Sequence, residues 1–206
     1  MYFDRKCKIT FISHGATIFS EEGRFSDLEN HPPLNENGAE EIDKICEYLK
    51  KRQVKNDKIY SSSASRCTQS AKKIAKVYKK DFEVIDLKPR KCGSFSGFTF
   101  EQIETKFPQK LKDLILKPDI PTPDDAEAVS DFIKRVSEKI EEIVNDNIGN
   151  RVIIVTHPDI IKAAICDALE IPATSFQHIY IKTGSATQIS FFKNWKSLIY
   201  SDYTPL

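Results

Sequence analysis

The run Arg151-Val152-Ile153-Ile154-Val155-Thr156, followed at once by His157 and Pro158, constrains this chain more than any other segment. Its uninterrupted β-branched centre predicts a short buried strand of the kind found in parallel sheets. Pro158 suits the first position of a helix, where its fixed φ is compatible and its missing N–H is not needed. Ile161, Ala164, Ile165, Ala168 and Leu169 then give that helix one apolar face. His157 therefore stands at the carboxyl end of a strand, at the turn into a helix.

The same unit recurs upstream. Lys8 to Ile12 is a short apolar run that stops at Ser13-His14-Gly15, and a helix is expected from Asn35 with Ile42, Ile45, Cys46 and Leu49 on one face. Lys58 to Ser62 predicts a second strand, after which Ser65-Arg66 opens a helix carrying Ala71, Ile74, Ala75 and Tyr78 inward. A third strand is expected from Phe82 to Leu87, then a glycine-punctuated loop over Gly93 to Gly97 and a proline-rich patch from Pro118 to Pro123. A long amphipathic helix is predicted from about Asp125 to Asn147, with Gly149 as its stop, and a last strand from Thr187 to Phe192. Strands alternating with helices imply an α/β fold: a three-layer α/β/α sandwich around a mostly parallel sheet, in one domain spanning 1–206.

In such sheets ligands bind outside the carboxyl ends of the strands. His14 and His157 both fall at such ends although they are far apart in sequence, and Arg66 follows a third strand at a helix start. These residue types in that placement suit a phosphate. A neutral imidazole can attack phosphorus through one ring nitrogen while the other is held by a backbone acceptor. Arginine offers a planar fork for two phosphate oxygens, and a helix amino terminus adds backbone donors. A second histidine can donate to the equatorial oxygens as charge shifts in the transition state. His31 and His178 stand outside this pattern, one in a loop and one in an apparent strand, and receive no role.

Composition narrows the alternatives. A net charge of +1 gives no electrostatic case for nucleic acid. No segment approaches the ~20 apolar residues of a membrane span, so no membrane association is expected. The first residues run into a strand-like stretch without the small-residue cleavage pattern of a signal peptide. The five cysteines are odd in number and widely spread, with no Cys-x-x-Cys pair and no histidine spacing that suits zinc. Reduced thiols, a cytoplasmic location and no metal or other cofactor are the expectation.

Six motifs in order extend the argument. Ser13-His14-Gly15-Ala16-Thr17 resembles the Arg-His-Gly-Glu-Thr signature of the histidine phosphatase superfamily in its phosphoglycerate-mutase-like branch, and Glu22-Gly23-Arg24 resembles the Glu-Gly-Arg that follows it. Pro33-Leu34 to Gly38 is similar to the branch's Pro-Leu-Thr-x-x-Gly, and Ser62 to Ala71 to its Ser-Pro-Leu-x-Arg-Ala-x-Gln-Thr-Ala. Gly93 to Thr99 resembles Gly-x-Trp-x-Gly-x-Thr, and Val155-Thr156-His157 the Val-x-His of the second histidine. The resemblance spans about Lys8 to Phe192. It implies that His14 is the phosphorylated nucleophile and that Arg66 and His157 hold the phosphate. Ser13, Gly15, Thr17, Ser20 and Arg24 are the further phosphate- or substrate-binding positions it suggests.

The departures carry information too. Ser13 stands where the family has arginine, which removes one charged fork. Pro89 stands four residues before Gly93, where the branch has its glutamate general acid, and proline cannot transfer a proton. Two replacements suggest themselves: Arg90, flanked by Lys88 and Lys91, restoring positive charge, and Asp159, two residues after His157, protonating the leaving group. Arg90 and its lysines equally suit a solvated loop. Asp159 equally suits the dipole of a helix amino terminus, and Glu127, which matches a glutamate of the family's Gly-Glu-Ser, equally suits a first helical turn. The expected function is a metal-independent phosphomonoester phosphatase, more phosphatase than mutase. The alternative is a pseudophosphatase that binds phosphate or a phosphorylated partner without turning it over. The expected partner is a phosphorylated small molecule or phosphoprotein.

Overall fold

The computed structural model describes residues 4–28 and 30–205. Its strands are β1 (Arg5–Ser13), β2 (Lys58–Ser62), β3 (Glu83–Ile85), β4 (Arg151–Thr156), β5 (Ala186–Phe192) and β6 (Lys196–Tyr203). Its helices are α1 (Ile18–Glu21), α2 (Glu36–Lys51), α3 (Ser65–Tyr78), α4 (Phe100–Lys106), α5 (Pro108–Leu116), α6 (Val129–Asp146) and α7 (Pro158–Ala168). The strands form one sheet in the order β3-β2-β4-β1-β5-β6. β3, β2, β4 and β1 run parallel, and β5 and β6 add an antiparallel edge.

Side-chain alternation along β4 builds the two cores. Val152 and Ile154 join Ile9 and Phe11 of β1 under α6 and α7, where Phe132, Val136, Ile140, Ile161 and Ile165 are buried. Ile153 and Val155 face the other way, with Ile12 and Ile59, onto Ile42, Ile45 and Leu49 of α2 and Ala71 and Ile74 of α3. Burial on both faces is why the run has no polar alternation.

Chain order then positions a site. β1 is followed by β2, which lies beyond β4 on one side, whereas β4 is followed by β5, on the far side of β1. The two connections leave the carboxyl ends of neighbouring strands in opposite directions and open a crevice there. His14 follows β1 and His157 follows β4, so both stand on the lip of that crevice.

Several elements differ from expectation. α6 begins at Val129, not Asp125, because the Asp125 carboxylate accepts from the Ser94 N–H (3.0 Å) and hydroxyl (3.3 Å) and so braces the Gly93 turn. β3 is shorter than Phe82 to Leu87. His178 closes a 3₁₀ turn over Ala173–His178 and is exposed, not in a strand. The last strand is half of a hairpin, since β6 returns beside β5 through a turn with no glycine or proline to mark it. α4 and α5 fill the stretch between the Gly93 to Gly97 loop and the Pro118 to Pro123 patch, where the sequence predicts no helix or strand. α4 has a sequence signal in Thr99-x-x-Gln102, a capping box closed by bonds of 3.0 and 3.1 Å, and α5 has Pro108 in its first turn.

Candidate active site

The peptide of His14 is clamped from both sides. Its N–H donates to Thr156 O (2.9 Å), and its carbonyl accepts from Gly184 N–H (2.9 Å). The imidazole Nδ1–H donates to Gly15 O at 2.8 Å, which leaves the Nε2 lone pair free to act as acceptor or nucleophile. Arg66, at the start of α3, lies between the two histidines: its Nε donates to His14 Nε2 and its Nη2 to His157 Nδ1, both at 3.1 Å. With Nδ1 accepting, His157 carries its proton on Nε2. The two imidazoles meet edge to face, with ring centroids 5.3 Å apart.

All three side chains are buried, and burial with the neighbouring guanidinium decides their charge. His14 is pushed down to about 3, first by desolvation and then by Arg66. His157 is held well below its ordinary value by burial, by Arg66 and by its histidine neighbours. Both rings are therefore neutral at neutral pH. The third Arg66 nitrogen, Nη1, is buried and has no hydrogen-bond partner among the described residues. A cation between two neutral bases, with one donor unspent, is a receptor for an anion.

The cleft above this cluster encloses about 810 Å³ and is lined by His14, Arg66 and His157 together with Thr17, Ser20, Arg24, Arg90 and Asp159. Arg90 is 2 % exposed although it belongs to a loop. Its Nη1 donates to Glu127 O at 2.8 Å. Its loop is held by Arg135, whose guanidinium donates to Lys88 O and Pro89 O at 3.0 Å and to Glu127 Oε1 at 2.5 Å. Glu127 is thereby committed to bracing this loop. Asp159, in the first turn of α7, is ion-paired with Lys162 at 3.4 Å.

Not every expected position reaches the cleft. Ser13 is fully buried at the end of β1 and does not line the cleft, so its hydroxyl does not substitute for the arginine it replaces. Gly15 does not line it either: a Cβ there would lie 2.1 Å from Gly38 O, so this glycine serves a close crossing of the loop over α2. Thr17 and Ser20 line the cleft but spend their hydroxyls on the cap of α1, Thr17 Oγ1 accepting from Ser20 N–H and Ser20 Oγ from Thr17 N–H. Arg24 reaches Gly97 O (2.7 Å) and pairs with Glu22.

Three contributors were given no role by the sequence. The Cys67 thiol sits 3.5 Å from His157 Nε2 and 3.8 Å from Nδ1, and burial pushes its pKa up to about 12, so it packs as a neutral group against that ring. Asp27 is buried, and its carboxylate acts on Arg66. His31 contacts Ser65 Oγ at 3.4 Å, close enough to influence His157. All five cysteines are free thiols. Among the described residues, no group of three or more His, Cys, Asp or Glu side chains is placed to share a metal ion, and no helix is long and apolar enough to cross a membrane.

The sequence matches the family model of the histidine phosphatase superfamily, branch 1, over residues 9–200. The chain belongs to this superfamily. Among similar proteins, a metal-independent phosphoserine phosphatase of Arabidopsis thaliana is 30% identical over 76% of this chain and 66% of its own length. Phosphoserine phosphatase 1 of Hydrogenobacter thermophilus is 24% identical over 82% of this chain and 79% of its own. The match to the Arabidopsis protein thus spans just under two thirds of that relative. Among solved structures, a phosphoserine phosphatase of Entamoeba histolytica with 3-phosphoglyceric acid superposes with a TM-score of 0.84 at 23% identity, covering 96% of this chain and 98% of that one. YhfR of Bacillus stearothermophilus gives 0.86 at 21% identity, covering 95% and 96%. These likenesses establish the phosphoglycerate-mutase-like fold.

Proposed function

We propose that this histidine phosphatase is a metal-independent phosphomonoester phosphatase working through a phosphohistidine at His14. The observation that carries the reading is the Arg66 guanidinium bridging two buried, neutral imidazoles with Nη1 unpartnered. Nε2 of His14 attacks phosphorus, and the N–P bond forms as the P–O bond to the leaving group breaks. The leaving oxygen takes the bonding pair and a proton relayed through Asp159. Water then attacks phosphorus, the N–P pair returns to Nε2, and the water's proton passes back to Asp159. Arg66, Arg90 and the His157 Nε2–H stabilise charge on the phosphoryl oxygens. Arg90 supplies the cation that Ser13 lacks, and Thr17, Ser20 and Arg24 shape the wall nearest α1.

The substrate is a phosphorylated molecule small enough for the cleft, in keeping with relatives named for phosphoserine. Hydrolysis of an activated aryl phosphate with chelator present tests the reading. Wild type should turn over and acquire an acid-labile phosphoryl group, and His14→Ala should do neither. Ser13 and Pro89 favour a second reading, a phosphate-binding pseudophosphatase. Silence of the wild type together with retained phosphate binding would establish it.

A further inference from the structure

Two features of the cleft point to one leaving group. The first is aromatic. Phe100 opens α4 at the mouth of the cleft and is 50% exposed, and Tyr180, on the same cleft, is 73% exposed. Apolar rings left in solvent beside a reaction centre mark a surface that something covers. Phe100 is also rigidly held. Its ring packs on Phe25 at 4.7 Å between centroids, and Phe25 packs on the buried Phe95 at 6.1 Å. The backbone of Phe25 exchanges bonds with Phe98 O (2.9 Å) and Gly97 N–H (2.8 Å), while Thr99 caps the helix that Phe100 begins. The ring thus lines the cleft with one side packed on Phe25.

The second feature is the weakness of acid assistance. Pro89 replaces the residue from which a strong general acid is expected. The cleft-lining acids are Glu41 and Asp159, and both are engaged: Glu41 accepts from Ala16 N–H (2.8 Å) and Thr183 Oγ1 (3.1 Å), and Asp159 pairs with Lys162. A phenolate, whose conjugate acid has a pKa of ~10, departs without a proton far more readily than an alkoxide, whose acid lies near ~16.

We propose that the preferred substrates are aryl phosphomonoesters, whose ring stacks on Phe100 and Tyr180 and whose phenolate leaves with little acid assistance. This rests on the phosphatase reading above and deepens it. In the first step the N–P bond to His14 forms as the aryl C–O–P linkage breaks between oxygen and phosphorus. The phenolate keeps the bonding pair and takes its proton from solvent. Water then attacks phosphorus, the N–P pair returns to Nε2, and the water's proton leaves through the Asp159 carboxylate to solvent, balancing the one the phenolate took.

Two measurements test it. First, kcat/KM for phenyl phosphate should exceed that for phosphoserine by ~10²-fold or more, the size of a general-acid contribution. Phe100→Ala should lower it about five-fold for phenyl phosphate while leaving phosphoserine within two-fold, the scale of one lost aromatic pair. Tyr180→Ala should act in the same direction. Second, phenylphosphonate should bind about five-fold more tightly than methylphosphonate to wild type and equally to Phe100→Ala, a comparison that needs no turnover and in which retained methylphosphonate binding shows that the variant is folded. A preference for phosphoserine, or equal loss of both substrates in Phe100→Ala, overturns the proposal and leaves the phosphatase reading intact. No turnover of either substrate overturns the phosphatase reading, and equal binding of the two phosphonates then overturns aromatic recognition separately.

Discussion

Acidification should destabilise this protein through the same burial that keeps the His14 imidazole neutral. The folded ring titrates at about 3 against an ordinary 6.5, so between those values the unfolded chain binds a proton that the folded one refuses. Stability rises with pH wherever the unfolded state binds more protons, and therefore falls as pH drops through this window. From pH 7 to pH 4, His14 alone removes about 3 kcal/mol, with a limiting slope of about 1.4 kcal/mol per pH unit. His157 is shifted in the same direction and steepens the loss. Urea unfolding followed from neutral pH to about pH 4 checks this, comparing wild type with His14→Asn, a polar side chain of similar reach that does not titrate. The variant should lose roughly 3 kcal/mol less over the range. Phosphate adds a second readout. A bound anion makes protonated imidazole favourable, so the stabilisation by saturating phosphate should grow as pH falls. If the two proteins lose stability in parallel, His14 is not a buried neutral base, and the argument for its nucleophilicity falls as well.

Arg90→Ala should raise the dissociation constant of inorganic phosphate by ~10-fold or more, read by titration calorimetry, because it deletes a charge-assisted donor. Gly15→Ala would place a methyl 2.1 Å from Gly38 O, a backbone atom that cannot swing aside, and should destabilise by more than ~3 kcal/mol in thermal or urea unfolding. Asp159, held by Lys162, is a weak proton donor, so Asp159→Asn should cut hydrolysis of an alkyl phosphate by only about five- to ten-fold, short of a full general-acid contribution, while leaving an activated aryl phosphate unchanged; equal effects on the two would remove Asp159 from proton transfer.

The central sheet was legible because its strands are buried on both faces, so runs such as Val152 to Val155 have no competing reading. The histidines were legible for a related reason: each follows a strand directly, and the ends of neighbouring parallel strands must converge. What failed to show was local or half-exposed. β6 alternates weakly as an edge strand, and α4 was announced only by the Thr99–Gln102 box. Gly15 and Ser13 lie inside the signature motif but away from the cleft, since a motif records that a residue is required without recording what it touches. Glu127 shows the same limit: its carboxylate braces Arg135 and the Arg90 loop, a role that depends on contacts with a segment 36 residues away. Cys67 was invisible because its effect on His157 is a packing contact across 90 residues, and a thiol beside an arginine carries no chemical signature.

The placement of charge gives the site its economy. Arg66 is almost fully buried, yet its bonds go to two neutral imidazoles, and nearby Asp27 supplies the negative charge that steadies it. Two rings that would each repel a proton beside a guanidinium remain neutral acceptors, and His14 Nε2 stays unprotonated, its lone pair held by the Arg66 Nε–H until an anion draws the guanidinium onto itself. The unspent Nη1 is the other half of the arrangement. A buried donor without a partner destabilises the free protein by roughly 1–3 kcal/mol, more for a charged group, and an anion that meets it recovers that energy on binding. Phosphate should therefore stabilise the fold most through Arg66. In an Arg66→Met variant, which removes both the penalty and the receptor, phosphate should no longer raise the unfolding temperature even if the free variant is as stable as wild type.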